Sequence, residues 1–339
     1  MSEKKKIRLV DTTLRDGSHA VSHTFSPEQA AAIAGGLDKS GVFMVECAHG
    51  DGISGSSFNY GFSKYDEKEL HRKMIPRLKS AKPTVLLLPG IGTIEDLKCV
   101  REIGIEAVRV ATHVTEADIG IQHIEYAKSA GMMAVGFLMM THMVGPEKIL
   151  EQARIFVDAG ADYINLADSA GHLLPEEVRR RISCLVEHLD IPVGFHAHNN
   201  LGMAIANSLA AAQEGATYLD ATCRGLGAGA GNAQLEVLAA VLDLAGFDTG
   251  MDLYKIQDVA EEIVAPVMHR PQIINTASLS LGYAGVYSSF LLHANRAAER
   301  FGLNERDILM ELGRRKMVGG QEDMIVDVAY ALAQQRDAK

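Results

Sequence analysis

No apolar run in these 339 residues reaches the roughly 18 that a membrane span needs. The N-terminal stretch lacks the apolar core of an export signal. The four cysteines, Cys47, Cys99, Cys184 and Cys223, stand far apart and form no CxxC pair. Without an export signal they are expected to be reduced, in a cytoplasmic protein. Positive charge is also scarce: 33 Lys and Arg against 43 Asp and Glu give a net charge of −10. The basic residues gather into no stripe, which argues against broad nucleic-acid binding. Lys4-Lys5-Lys6 is a short basic patch, expected to be a solvated terminus. Apolar content, at 47%, is ample for a globular core. The length suits one large α/β domain plus an appendage, or two domains.

Short β-rich runs alternate with helix-length runs from the start. The predicted strands are 7–12, 42–47, 84–88, 107–111, 133–139, 163–167, 192–196 and 218–221. Helices are predicted at 27–39, 66–80, 94–102, 118–130, 147–159, 176–188, 203–214 and 235–244, with Ser26-Pro27-Glu28 opening the first. Gly41, Gly104, Gly131, Gly160 and Gly215 close others. The strands are nearly all apolar, as expected when both faces are covered. Eight even β–α units in about 245 residues match a (β/α)8 TIM barrel better than the alternative, a doubly wound open sheet. After about residue 250 the alternation stops, and helices are predicted at 253–264, 288–301, 305–312 and 322–335. The expected division is a barrel over 1–250 and a C-terminal helical appendage over 251–339, making partner or oligomer contacts or covering the rim.

Polar residues gather where the predicted strands end. Asp11 and Asp16, Glu46, His49 and Asp51, Thr112 and His113, Thr141 and His142, Asn165, Asp168 and Ser169, His196 to Asn200, and Asp220 to Arg224 form seven such clusters. In a barrel these ends share one rim, the carboxyl-terminal face where active sites sit. The loop 49–62 is rich in Gly and Ser and is read either as a substrate cover or as a flexible surface loop. The Gly-rich stretch 225–232 is followed by no phosphate-loop lysine, so close backbone approach to a small ligand or a neighbouring loop is the better reading.

His196-Ala197-His198 ends the seventh predicted strand. Alternation puts both imidazoles on one side, with Cα atoms roughly 6.5–7 Å apart. Such a pair either chelates a metal or bonds to backbone and water; a third ligand has to decide. Asp16, in Arg15-Asp16-Gly17, lies at the rim of the first strand, on the same ring. Asp16, His196 and His198 are therefore expected to form a two-His-one-carboxylate face on a divalent cation, with coordination positions left open.

The stretch from Asp11 to Gly17, taken with His196-Ala197-His198, resembles the metal-dependent lyases related to 3-hydroxy-3-methylglutaryl-CoA lyase and isopropylmalate synthase. The resemblance is closer to the 4-hydroxy-2-oxovalerate aldolase family of aromatic-compound catabolism. It is carried by Arg15 to Ala20, Ala48 to Gly52, Gly55 to Phe62, Leu88 to Gly92, Gly136 to Met140, Gly227 to Ala233, Gly282 to Ser289 and Met317 to Met324. These span almost the whole chain, appendage included.

The resemblance implies cleavage of a 4-hydroxy-2-oxo acid to pyruvate and acetaldehyde with Mn2+ as the usual metal, other divalent ions being accepted. It implies Arg15 as stabiliser of the enolate and His19 as base, and places Asp16, His196, Ser169 and Tyr287 on substrate along with Arg15. Charge and acidity suit those roles: a guanidinium is permanently cationic, and an imidazole titrates near neutrality. No lysine is required, so no Schiff base is expected. An acyl-CoA Claisen lyase or synthase is the alternative enzyme, and a catalytically silent scaffold subunit the alternative to an enzyme. The resemblance also implies an acylating acetaldehyde dehydrogenase as partner, in a two-plus-two complex that passes the aldehyde between sites. The helix face Phe290, Leu291, Ala294, Ala297 and Ala298 suits either internal burial or such an interface.

Overall fold

The computed structural model describes residues 4–338. Eight parallel strands close into a barrel: β1 (Arg8–Leu14), β2 (Met44–Cys47), β3 (Lys82–Leu87), β4 (Ala107–His113), β5 (Met133–Met139), β6 (Tyr163–Asp168), β7 (Val193–Ala197) and β8 (Tyr218–Ala221). Closure is explicit in the pairing, since β1 bonds to β2 on one side and to β8 on the other. This is the expected (β/α)8 barrel, and the predicted strands lie within two residues of the observed ends. No helix among the described residues is long and apolar enough to cross a membrane.

Local chemistry explains the helix boundaries. Ser26 caps Pro27–Ser40 through a reciprocal bond pair with Gln29, and Gly41 ends it in the left-handed conformation that glycine adopts without strain. Where one long helix is predicted over 66–80, the α-helix stops at Met74 and a 3-10 turn, Ile75–Arg77, follows. Pro76 has no N–H for an α-helical bond.

The barrel interior is layered. Val10, Met44, Ala107, Val135, Tyr163 and Tyr218 form an apolar cluster. Two residues further along β2, β4, β6 and β8 the inward positions turn polar: Glu46, Arg109, Asn165 and Asp220 are all buried. Strand alternation makes this step from an apolar floor to a polar tier below the rim.

Beyond the barrel, the segment predicted as one helix over 253–264 is an α-helical stretch, Leu253–Asp258, continued by a π-turn, Val259–Val264. Val259, the first residue of that turn, packs against Gly36, where a Cβ would lie 2.7 Å from a Val259 methyl. The appendage also holds a helix that was not expected, Thr276–Ala284, six of whose nine residues are Ser, Thr, Ala or Gly and which shows little helical periodicity. Asn275 caps it, and it packs closely on Glu305–Arg314, where Gly313 meets the Ala284 backbone. Four helices, Thr276–Ala284, Phe290–Phe301, Glu305–Arg314 and Met324–Asp337, enclose a second core. That core decides the open question about the Phe290 face: Phe290, Ala294, Ala297 and Ala298 are buried inside it, and Leu291 packs against it partly buried.

Candidate active site

The site is built where β1 and β7 end. The β1–β2 ladder slips between Asp11 and Leu14, an irregularity that swings the following residues over the barrel mouth. Asp11 anchors this turn by accepting from the Thr13 N–H and hydroxyl, and Thr13 Oγ1 in turn accepts from the Cys223 N–H of the loop after β8. Burial pushes the Asp11 carboxyl up to about 7 in spite of the Thr13 hydrogen bonds. Arg15 and Asp16 follow, then a single helical turn, Gly17–Ala20, that carries His19.

Asp16, His196 and His198 converge, with one ligand atom from each lying within 4.8 Å of the others. The two imidazole Nε2 atoms are 3.4 Å apart. Asp16 Oδ2 lies 3.7 Å from His196 Nε2 and 3.6 Å from His198 Nε2. Neighbouring ligands about 2.1 Å from a divalent ion stand about 3 Å apart, so the spacing fits a shared cation with slight contraction. The electrostatics agree. Burial pushes the Asp16 carboxyl up, but Arg15 and the histidines outweigh it and hold that carboxyl well below the usual range. Burial lowers His198 to about 4 against the pull of Asp16, which keeps it neutral and able to ligate. His196 Nδ1 is 3.0 Å from Asp220 Oδ2, so Nδ1 carries the proton and Nε2 offers its lone pair to the cluster.

The Gly-rich loop lies against this cluster. Ala228 N–H donates to Asp16 Oδ1 at 3.1 Å. A Cβ on Gly227 would stand 2.8 Å from Asp16 Oδ1 and clash with the Asn232 amide. The glycines thus serve the close approach of a neighbouring loop, one of the two options their spacing left open. Asn232 itself braces the loop by donating to Leu226 O at 2.9 Å.

Arg15 is clamped rather than free. Its Nε donates to Glu46 Oε2 at 2.7 Å and its Nη1 to Asp16 Oδ2 at 2.9 Å. His19 rests on the Gly50 backbone, where a Cβ would clash with its ring. Its Nε2 is 4.0 Å from Asp51 Oδ2. His49 holds Asp51 by accepting its N–H at 3.2 Å through Nδ1, while Nε2 sits 3.1 Å from Gly61 O. The base of the 49–62 loop is therefore part of the site's framework. Its tip is a small hairpin that leaves Phe58 and Phe62 exposed.

Ser169 stands just past the end of β6, where the segment carrying Tyr287 joins the rim. Ser169 Oγ accepts from the Met140 N–H at 3.1 Å, and Ser169 O accepts from both the N–H and the hydroxyl of Ser288. Those bonds tie the segment carrying Tyr287 to the end of β6. Of the two tyrosines between Gly282 and Ser289, Tyr287 reaches the rim, whereas Tyr283 is exposed. Tyr287 lines a cavity of about 240 Å3 together with Asp51, Tyr60, Leu88 and Met139.

All seven predicted site residues thus lie on the carboxyl-terminal rim. Arg15, Asp16, His196 and His198 are joined by direct contacts; His19, Ser169 and Tyr287 border them. Sequence reasoning treated Glu46 and Asp220 only as rim polars, and it passed over Arg109. The signal available was a lone charge in an otherwise apolar strand, Ala107-Val108-Arg109-Val110-Ala111, at an inward position.

Residues 6–263 match the HMGL-like family and residues 272–334 the DmpG-like communication domain. The chain is 65% identical to the 4-hydroxy-2-oxovalerate aldolase of Moorella thermoacetica over 332 residues, 98% of each chain. It is 61% identical to that of Carboxydothermus hydrogenoformans, covering 97% of this chain and 98% of the relative. The carboxyl transferase domain of Rhizobium etli pyruvate carboxylase shares the fold at a TM-score of 0.83 and 18% identity, over 98% of this chain and 61% of that one. The named relatives bear out the aldolase expectation over the acyl-CoA one. The chain belongs to the HMGL-like family and, within it, to the 4-hydroxy-2-oxovalerate aldolases, and is a carbon–carbon lyase.

Proposed function

We propose that this chain cleaves 4-hydroxy-2-oxovalerate to pyruvate and acetaldehyde, with Asp16, His196 and His198 holding the divalent cation and Mn2+ the preferred ion. The observation that carries the reading is the convergence of those three ligand atoms within 4.8 Å, beside the clamped Arg15 guanidinium. A divalent cation there supplies a Lewis acid for a 2-oxo acid. The remaining work belongs to side chains. His19 takes the proton of the 4-hydroxyl. The C3–C4 bond then breaks, acetaldehyde leaves, and the electron pair passes into the pyruvate enolate. Arg15, held by Glu46 and Asp16, keeps a fixed positive charge where that enolate oxygen develops. Ser169, from the end of β6, and Tyr287, from the appendage, orient the acid. Protonation of the enolate at C3 completes pyruvate.

Pyruvate release from 4-hydroxy-2-oxovalerate, followed with lactate dehydrogenase, tests this reading. EDTA is expected to abolish release and Mn2+ to restore it better than other divalent ions; full activity in EDTA would sink the metal assignment. Release without coenzyme A is expected, in keeping with an aldolase.

The same reading sets the chain in the cytoplasm, in aromatic-compound breakdown, and gives it a partner. We infer an acylating acetaldehyde dehydrogenase, two copies of each chain, receiving the aldehyde directly. Support comes from the match of 272–334 to the DmpG-like communication domain and from exposed apolar side chains there, among them Ile273, Leu279, Tyr283 and Leu292. The Phe290 face contributes nothing to this surface, being spent on the internal core. Co-expression followed by size-exclusion chromatography should give one peak holding both chains. Two separate peaks at micromolar concentration would count against the complex.

A further inference from the structure

The centre of the barrel holds a charge that the proposed chemistry does not use. Arg109 comes from the middle of β4, and its side chain is 0% exposed. A guanidinium stays charged when buried, so carboxylates must match it. Glu46 Oε1 lies 3.3 Å from Nη1, and Asp220 Oδ2 pairs with Nη2. Each carboxylate also reaches the rim. Glu46 Oε2 accepts from Arg15 Nε at 2.7 Å, and Asp220 Oδ2 meets His196 Nδ1 at 3.0 Å. A continuous chain therefore crosses the barrel: Arg15, Glu46, Arg109, Asp220, His196. The Phe137 ring covers one side, 4.5 Å from the Arg109 guanidinium carbon and edge-on to His196.

Stability alone does not account for this arrangement. Barrel interiors are ordinarily filled by branched apolar side chains, and well-packed apolar residues often replace a buried ion pair without loss. The geometry here has two functional ends instead: the guanidinium assigned to the enolate and an imidazole assigned to the metal.

We propose that Arg109 is a positioning residue, which holds Glu46 and Asp220 at a set separation beneath the rim and so fixes the Arg15 guanidinium and the His196 imidazole relative to each other. The proposal rests on the metal reading of Asp16, His196 and His198. Asp220 keeps the His196 Nε2 lone pair aimed at Asp16 and His198, and Arg109 keeps Asp220 in place. Without it, Glu46 keeps only Arg15 as a charged partner, Asp220 keeps only His196 and Asn165, nothing joins the two carboxylates, and both ends are free to shift. Lysine is no substitute, because one compact ammonium on a flexible stem cannot reproduce a planar fork that spans two carboxylates.

The test uses the full-length protein with Mn2+ as probe. Affinity is read from the paramagnetic resonance signal of free Mn2+, alongside kcat, KM and thermal unfolding. Arg109→Lys is expected to remain folded, to bind Mn2+ about 10–100-fold more weakly, and to lose kcat by about as much, as is typical when support behind a metal ligand is removed. KM should change little, since Arg109 touches no substrate. Arg109→Met should lose more on both counts. Asp220→Asn, which leaves the Arg15–Glu46 bond alone, should show the same loss of Mn2+ affinity. Folded Arg109→Lys with Mn2+ affinity and kcat both within twofold of wild type would overturn the proposal. If neither Arg109 variant folds, Asp220→Asn decides, and unchanged Mn2+ affinity there overturns it. A wild-type protein that binds no Mn2+ would bring down the metal reading and this proposal together; normal wild-type binding with an unaffected Arg109→Lys brings down this proposal alone.

Discussion

Asp16→Asn is expected to purify without its metal and to turn over roughly a thousandfold more slowly. Asp16 is the carboxylate of the cluster, and its Oδ2 sits within 3.7 Å of both imidazoles. An amide removes the negative charge and turns one oxygen into a donor. The affected side then faces Arg15 Nη1, at 2.9 Å from the native carboxylate, so donor would meet donor. A Lewis acid is worth several kcal/mol of transition-state stabilisation, and each 1.4 kcal/mol is tenfold in rate, which sets the magnitude. The fold should survive. The remaining amide oxygen of the variant can still accept from Ala228 N–H, and Arg15 keeps its bond to Glu46. Metal content of the purified variant by mass spectrometry, with circular dichroism for the fold, checks this. Metal occupancy equal to wild type would remove Asp16 from the ligand set.

The second large effect separates base from enolate stabiliser. His19→Ala is expected to lower aldol cleavage by about 10²–10⁴, the usual range for a lost general acid–base group. Arg15→Ala should cost about 10²–10³, the range for one preorganised donor to an oxyanion. A second reaction tells them apart. Exchange of the pyruvate methyl protons with solvent passes through the same enolate but involves no 4-hydroxyl. His19→Ala should therefore keep most of that exchange, whereas Arg15→Ala should lose both reactions. Proton exchange followed by NMR in deuterated buffer is the measurement, and equal loss of the two reactions in His19→Ala would overturn the division of roles. Arg15→Ala also leaves Glu46 with one fewer partner, so its thermal unfolding has to be compared with wild type before its rates are read.

The barrel was legible because parallel strands covered on both faces must be apolar, and helices between them carry caps and glycine stops. The grouping of Asp16, His196 and His198 was legible for a related reason. Period-two alternation put His196 and His198 on one face, and closure of the sheet brought Asp16 to the same mouth. The helix Thr276–Ala284 was not legible. Its small residues carry little amphipathic signal, and what holds it is packing against Glu305–Arg314, a contact remote in sequence. The Phe290 face was ambiguous in the sequence because an apolar stripe looks the same whether it meets its own chain or another.

Residue order by itself determined the eight β–α units, the rim on which polar groups gather, and the pair of imidazoles at the end of β7. These depend on local propensity and short-range periodicity, which a linear pattern contains. Only the closed barrel decided what Glu46, Arg109 and Asp220 do. Each is an isolated polar position on its own strand, 63 and 111 residues apart along the chain. They become one network because strand alternation turns all three inward and closure shuts them off from bulk solvent, so the charges pair with each other across the interior.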